Sequence, residues 1–302
     1  MTPVEPANFD RLDLDPEIPQ AYYIQALGGI DCAWYDGQKT SGNSRDLELS
    51  VLPATSAVWN EFVDSSEGVT GTTYTFCTSD EQNTCEYDAF VNGSWLYILA
   101  NNLSVQPGSG NTTLPPQLKS AITAMTAKLT AAALGPAPAL RQGSVTLPNT
   151  GTSLITAAQF TTALGLGGGV TVDCTGHPDG PWSLANEAET EVTSAIGCFF
   201  ATSDGGGYGG YEWLAGGAWA AELAEAATPS ETALTVPGLP AGDSAKEYSD
   251  SQGELTVDLI LGGNWIEYEL APASDTGEPP GSVPLPTAAI ALTSAFEKTV
   301  RG

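Results

Sequence analysis

The chain has 302 residues, 36 of them acidic against 9 Lys and Arg, for a formal net charge of −27. That length accommodates two ordinary domains with separate cores, and an apolar content of 41% is that of a folded chain rather than a disordered one. The negative field repels nucleic acid and anionic membrane surfaces; it either keeps an extracellular or salt-exposed protein soluble or serves a cationic or basic partner, and no apolar run approaches the roughly 18 residues needed to cross a bilayer.

Residues 1–19, rich in Pro and Asp, predict an extended arm. A short helix is expected over 22–27, ended by Gly28-Gly29. IDCAWYD follows as a strand, and LELSVLP as a second, with Leu47, Leu49 and Val51 alternating against Glu48 and Ser50. Val58, Trp59, Phe62 and Val63 form one apolar helical stripe. TTYTFCTS and CEYDAFV read as strands, and Asn92-Gly93 marks a tight hairpin because both positions tolerate positive φ. SWLYILA returns, and the run from Pro115 to Leu134 predicts a helix with Leu118, Ile122, Met125 and Leu129 on one face.

The same order then recurs. After a Pro- and Gly-interrupted linker at 135–151 and an extra helix over 152–166, a helix is expected over 183–197. CFFATS, a glycine-rich loop and YEWLA follow, then the helix AWAAELAEA. AKEYSDS and ELTVDLIL are strands, Gly263-Asn264 takes the place of Asn92-Gly93, WIEYELA returns and PTAAIALTSAFEKTV closes the chain. Corresponding segments are separated by roughly 165–171 residues, the scale of one domain. The expected fold class is α+β. It consists of two related modules, α-β-β-α-β-β-β-α, each an antiparallel sheet with helices packed on one face. The first module spans 1–134 with its arm, and the second spans 152–302.

Five cysteines include no CxxC pair, and a single His leaves little for zinc. Cys77 and Cys85 flank a polar turn and predict a hairpin disulfide; Cys174 and Cys198 are the next expected pair, leaving Cys32. In the repeat Cys32 corresponds to Cys198, and the partner at 174 maps to about residue 8, where no Cys stands. Disulfides imply an oxidising, extracellular setting. The opening MTPVEPANFDRLDLDPE has no leader pattern, so a secretion or anchoring segment is expected to have been removed ahead of it.

Several motifs carry less than their letters suggest. The 205–210 run, GGGYGG, matches GxGxxG but precedes a strand rather than the helix that phosphate binding needs. Asp275-Thr276-Gly277 lacks the second triplet of an aspartic protease. Glu187, Glu189 and Glu191 complement a helix N-terminus, and the acidic loop 79–84 lacks EF-hand spacing. Trp95 and Trp265, each following the hairpin turn, are expected in the core. The features not repeated between modules give the candidate ligand-binding residues: His177 and Trp182 in a Gly/Pro-rich loop, and Tyr208 and Tyr211 around the glycine run.

The Cys32-Ala33-Trp34 strand after a helix, and the TAAQFTTALG run at 156–165, resemble actinobacterial secreted proteins, among them envelope lipoproteins and sensor-like extracellular domains of membrane kinases. The resemblance implies a binding module held at the cell surface and supplies no catalytic residues. The expectation is a non-enzymatic extracellular binding or sensor protein of the bacterial envelope, without cofactor or metal. Its partner would be a small molecule or an envelope protein. The alternative is a structural or interaction component of the surface.

Overall fold

The computed structural model describes residues 2–4, 22–35, 46–54, 56–65, 71–77, 84–101, 114–132, 141–147, 153–174, 197–202, 207–227, 231–250, 253–272 and 281–302. They divide into two compact units. The first holds residues 2–4 and the described residues from 24 to 132. The second holds Tyr22, Tyr23 and the described residues from 141 onward.

The chain enters with β1 (Thr2–Val4), α1 (Tyr23–Ala26), β2 (Ile30–Tyr35) and β3 (Asp46–Pro53). Next come α2 (Ser56–Ser65), β4 (Thr73–Cys77), β5 (Cys85–Val91), β6 (Ser94–Asn101) and α3 (Pro116–Ala131). The first unit's strands form a six-stranded sheet in the order β1-β2-β3-β6-β5-β4, every neighbouring pair antiparallel. Residues 2–4, expected in an extended arm, are therefore an edge strand of that sheet. The β5–β6 turn is Asn92-Gly93, as its sequence predicts. Both residues have positive φ, 51° and 76°, which gives the turn a twist matching its strands. The Asn92 amide donates to the carbonyls of Leu129 and Ala132, two acceptors at the end of α3 that helix geometry leaves open.

Neighbouring residues on a strand point to opposite faces. Leu96, Ile98 and Ala100 pack with Leu118 and Ile122 of α3. Trp95 points the other way, against Trp59 and Phe62 of α2. Helices thus cover both faces of the sheet, which corrects the expectation of helices on one face. The cause is visible in β5 and β6: Phe90, Val91, Trp95 and Leu96 place apolar groups on both sides, and both need cover.

The second unit contains α4 (Ala157–Leu164), β7 (Val170–Asp173), β8 (Cys198–Thr202), β9 (Gly207–Leu214) and α5 (Ala218–Ala227). Then come β10 (Thr232–Ala233), β11 (Ser244–Ser249), β12 (Leu255–Leu261), β13 (Asn264–Leu270) and α6 (Leu285–Arg301). Its seven-stranded sheet has the order β7-β8-β9-β13-β12-β11-β10, again antiparallel throughout. Ala288, Ala289, Leu292 and Phe296 of α6 join Leu255, Val257, Leu259, Ile266 and Tyr268 in one core. The Tyr268 hydroxyl donates to the Ala289 carbonyl at 2.9 Å. On the opposite face, Tyr22 packs against both Trp219 of α5 and Trp265 of β13.

Four local expectations shift. The β12–β13 turn is Gly262-Gly263, with φ of 57° and 87°, so Gly263-Asn264 is one residue out of place. Asn264 instead opens β13; its side chain accepts from the Gly216 N–H and donates to the carbonyls of Val145 and Leu261. The glycine run is a loop only in part, because Gly207–Gly210 belong to β9. A Cβ on Gly209, at φ +119°, would meet the Glu269 carbonyl oxygen at 2.0 Å, so close backbone approach demands glycine there. The extra helix is shorter than 152–166: Thr156 and Gln159 form a capping box before it, and Gly165 ends it at φ 67°. Part of the expected linker is not free, since at 141–147 the Ser144 N–H donates to Gly262 and Leu147 is buried. The expected helix at 183–197 apart from Gly197, the DTG triplet, and the acidic loop 79–84 apart from Thr84 lie outside the described residues.

Candidate functional site

The most informative side-chain arrangement is a polar row crossing the α2-covered face of the first sheet. Asp31 on β2 pairs with Ser50 on β3, Ser50 with Tyr97 on β6, Tyr97 with Asp88 on β5, and Asp88 with Tyr74 on β4. Hydrophobic cover from α2 lies beside this row, not over polar partners alone: Trp95, next to it, is fully buried. The Ser50 hydroxyl donates to Asp31 at 2.6 Å. The Trp95 indole N–H donates to Asp88 Oδ1 at 2.7 Å, satisfying one oxygen of a carboxyl that is 0% exposed.

Burial, with no cation nearby among the described residues, makes ionisation costly here. Desolvation raises Asp31 and Glu86 above the usual carboxylate range, with hydrogen bonds opposing it in part. Asp88 is raised well above that range, first by burial and then by the Glu86 charge. Tyr97 is raised by burial and by Glu48, Glu86, Asp88 and Asp31 together. Such a row can store a proton in a neutral carboxyl. Asp88 is too enclosed to touch a solute at the surface.

The second sheet has a corresponding row: Glu212 on β9, Glu267 on β13, Asp258 on β12 and Lys246 on β11. The Trp265 indole donates to Asp258, seven residues earlier, just as Trp95 donates to Asp88 seven residues earlier. Around this constant pair the chemistry differs. Lys246 stands where the first unit has Tyr74, and its ammonium meets Glu225 and Glu231. Tyr23 donates to the Trp213 carbonyl and to Glu212.

The residues chosen from sequence fall elsewhere. His177 and Trp182 lie outside the described residues. Tyr208 and Tyr211 are 3% and 4% exposed, in the core of the second unit. The Tyr211 hydroxyl receives the Leu154 N–H at 2.6 Å and contacts Ser153 Oγ at 3.0 Å. Both expected disulfides are formed, Cys77–Cys85 between β4 and β5, and Cys174–Cys198 beside β7 and β8. Cys32 is free, and burial and the neighbouring Asp31 raise its thiol, which disfavours the reactive thiolate. The polar rows were missed, yet a signal was present: YDAFVNGSW and VDLILGGNW share Asp and Trp at the same interval around a turn.

Among the described residues, no three or more His, Cys, Asp or Glu side chains converge as a metal site. No described helix is long and apolar enough to cross a membrane. An open groove of about 550 Å³ lies between β5 and α3, lined by Tyr87, Ile122, Thr126 and Thr130 among others. No protein-family model matches the chain, and no curated protein or solved structure matches it either.

Proposed function

We propose that this chain is a non-enzymatic binding or sensor protein of an extracellular, oxidising setting, built from two copies of one unit. The observation supporting both parts is a constant Asp–Trp pair beside a varied polar row. The strand order β1-β2-β3-β6-β5-β4 runs parallel to β7-β8-β9-β13-β12-β11, with β10 added. In each unit the start of a helix is also tied to the hairpin turn, through Ala54 N–H to Gly93 and Ala218 N–H to Gly263. A duplicated scaffold keeps what folding requires and is free to change what it recognises. Two disulfides between neighbouring strands suit an oxidising compartment, and the net charge of −27 favours a ligand or partner carrying positive charge. Attachment to a bacterial envelope completes the proposal.

The test is a thermal-shift screen of organic cations, basic peptides, neutral solutes and anions at low and high salt. A cationic hit that raises the melting temperature, weakens with salt and is diminished by Glu212→Gln supports the reading. Shifts from anions alone, or turnover of a hit, contradict it. A surface-interaction role is favoured by Ile30 and Phe199, exposed at 58% and 56%. It predicts concentration-dependent association by light scattering that Phe199→Ser abolishes.

A further inference from the structure

Asp88 sits in an environment the second unit does not reproduce. Its Oδ1 accepts the Trp95 indole N–H, Oδ2 is buried and receives no donor, and the Asp88 and Glu86 carboxyls share a hydrogen bond that a protonated Asp88 donates. Glu86, two residues earlier on the same side of β5, adds a like charge.

Among the described residues, the groups around it carry no compensating cation. Tyr97 faces it from β6 and Tyr74 from β4; further along the face stand Glu48 and Ser50 on β3 and Asp31 on β2. From α2, Trp59 and Phe62, both uncharged, pack against Trp95 on this face. The described Lys residues of this unit, Lys119 and Lys128, belong to α3, which packs on the opposite face. The second unit differs at three places, one of which brings its own acid: Glu267, 3% exposed, faces Asp258 from β13 where Tyr97 faces Asp88 from β6. Thr256 precedes Asp258 as Glu86 precedes Asp88, and Lys246 pairs with Asp258 as Tyr74 pairs with Asp88.

We propose that Asp88 is a proton-binding site that locks the first unit: one proton on Oδ2 holds the β5–β6 hairpin closed against α2, and its loss loosens that unit but not the second. The proton comes from and returns to solvent, and no other bond changes. This inference stands apart from the binding role proposed above.

The sign follows from the environment. Burial, then the Glu86 charge, raises Asp88 above its unfolded value. The stabilisation is therefore fully present below the unfolded carboxyl's value of about 3.9 and is lost as pH rises through the folded value. Between those two values one released proton lowers the closed population by up to about ten-fold per pH unit, and above the folded value the loss is complete.

Hydrogen exchange on the full oxidised chain at pH 5 and pH 8, corrected for intrinsic rates, reads each hairpin separately. Protection of β5 and β6 should fall by at least about ten-fold at pH 8, while β12 and β13 change far less. Asp88→Asn keeps an acceptor for Trp95 and supplies N–H in place of the proton, so its β5–β6 protection should be nearly flat with pH. Glu86→Gln removes the like charge and should give a smaller fall than the unsubstituted chain. A uniform fall in both hairpins, an undiminished fall in Asp88→Asn, or a fall in Glu86→Gln equal to that of the unsubstituted chain overturns the proposal. Should Asp88→Asn fail to fold, the Glu86→Gln comparison decides alone.

Discussion

Replacing Trp95 or Trp265 with Phe separates the hydrogen bond from most of the ring packing. In each case the lost donor serves a buried carboxyl: Asp88 at 2.7 Å in the first unit, Asp258 in the second. Leaving a buried acceptor unsatisfied costs about 1–3 kcal/mol. Shrinking a fully enclosed indole adds about 1–2 kcal/mol for the vacated volume. The expected loss is about 2–5 kcal/mol in the affected unit. At about 2–4 °C per kcal/mol for a unit of this size, its melting temperature should fall by about 4–20 °C. Calorimetry of the full chain, with urea titration followed by hydrogen exchange, measures both units. The Trp95→Phe loss should be larger at pH 8 than at pH 5. The indole bond favours the ionised form of Asp88, which burial disfavours, so its removal weighs most where that form is populated. A loss below about 0.5 kcal/mol in either variant, within the usual range for surface substitutions, would refute the reasoning.

Reduction of Cys77–Cys85 and of Cys174–Cys198, whose sequence separations are 8 and 24, should cost about 2.5 and about 3.5 kcal/mol from loop entropy. Single Cys→Ser variants compared by denaturant titration check the order. Gly209→Ala should destabilise by more than about 2 kcal/mol, since φ +119° and a contact at 2.0 Å oppose a Cβ together. Gly253→Ala, at φ +83° with open space, should cost about 1 kcal/mol in the same assay. Ser249 and Leu255 face each other across β11 and β12 as Cys77 and Cys85 do across β4 and β5. The double variant Ser249→Cys, Leu255→Cys should therefore form a third disulfide, seen by mass after alkylation; two free thiols at those positions would contradict the correspondence.

Much of the scaffold is written in local chemistry. Asn92-Gly93 specifies its own turn, Thr156 and Gln159 specify their own cap, and alternating Leu47, Leu49 and Val51 specify a strand. The number of covered faces is less legible, because it depends on which helix folds over which side. Trp95 and Leu96 are neighbours in sequence but belong to opposite layers. The polar row was hidden for the same reason. Asp31, Ser50, Tyr97, Asp88 and Tyr74 come from five strands, and only sheet register brings them into line. Tyr208 and Tyr211 looked accessible because glycines surround them. Yet those glycines serve strand contacts at β13 and β8, and the rings turn inward.

The shared Asp–Trp pair can be read directly from the indole N–H signals of the seven tryptophans by nitrogen-resolved NMR. Trp95 and Trp265, assigned through their Phe variants, should both be shifted downfield and protected from solvent exchange, as donors to enclosed carboxyls. If either exchanges as freely as an exposed indole, or if Asp88→Ala and Asp258→Ala leave the two signals unmoved, the two units do not share this core.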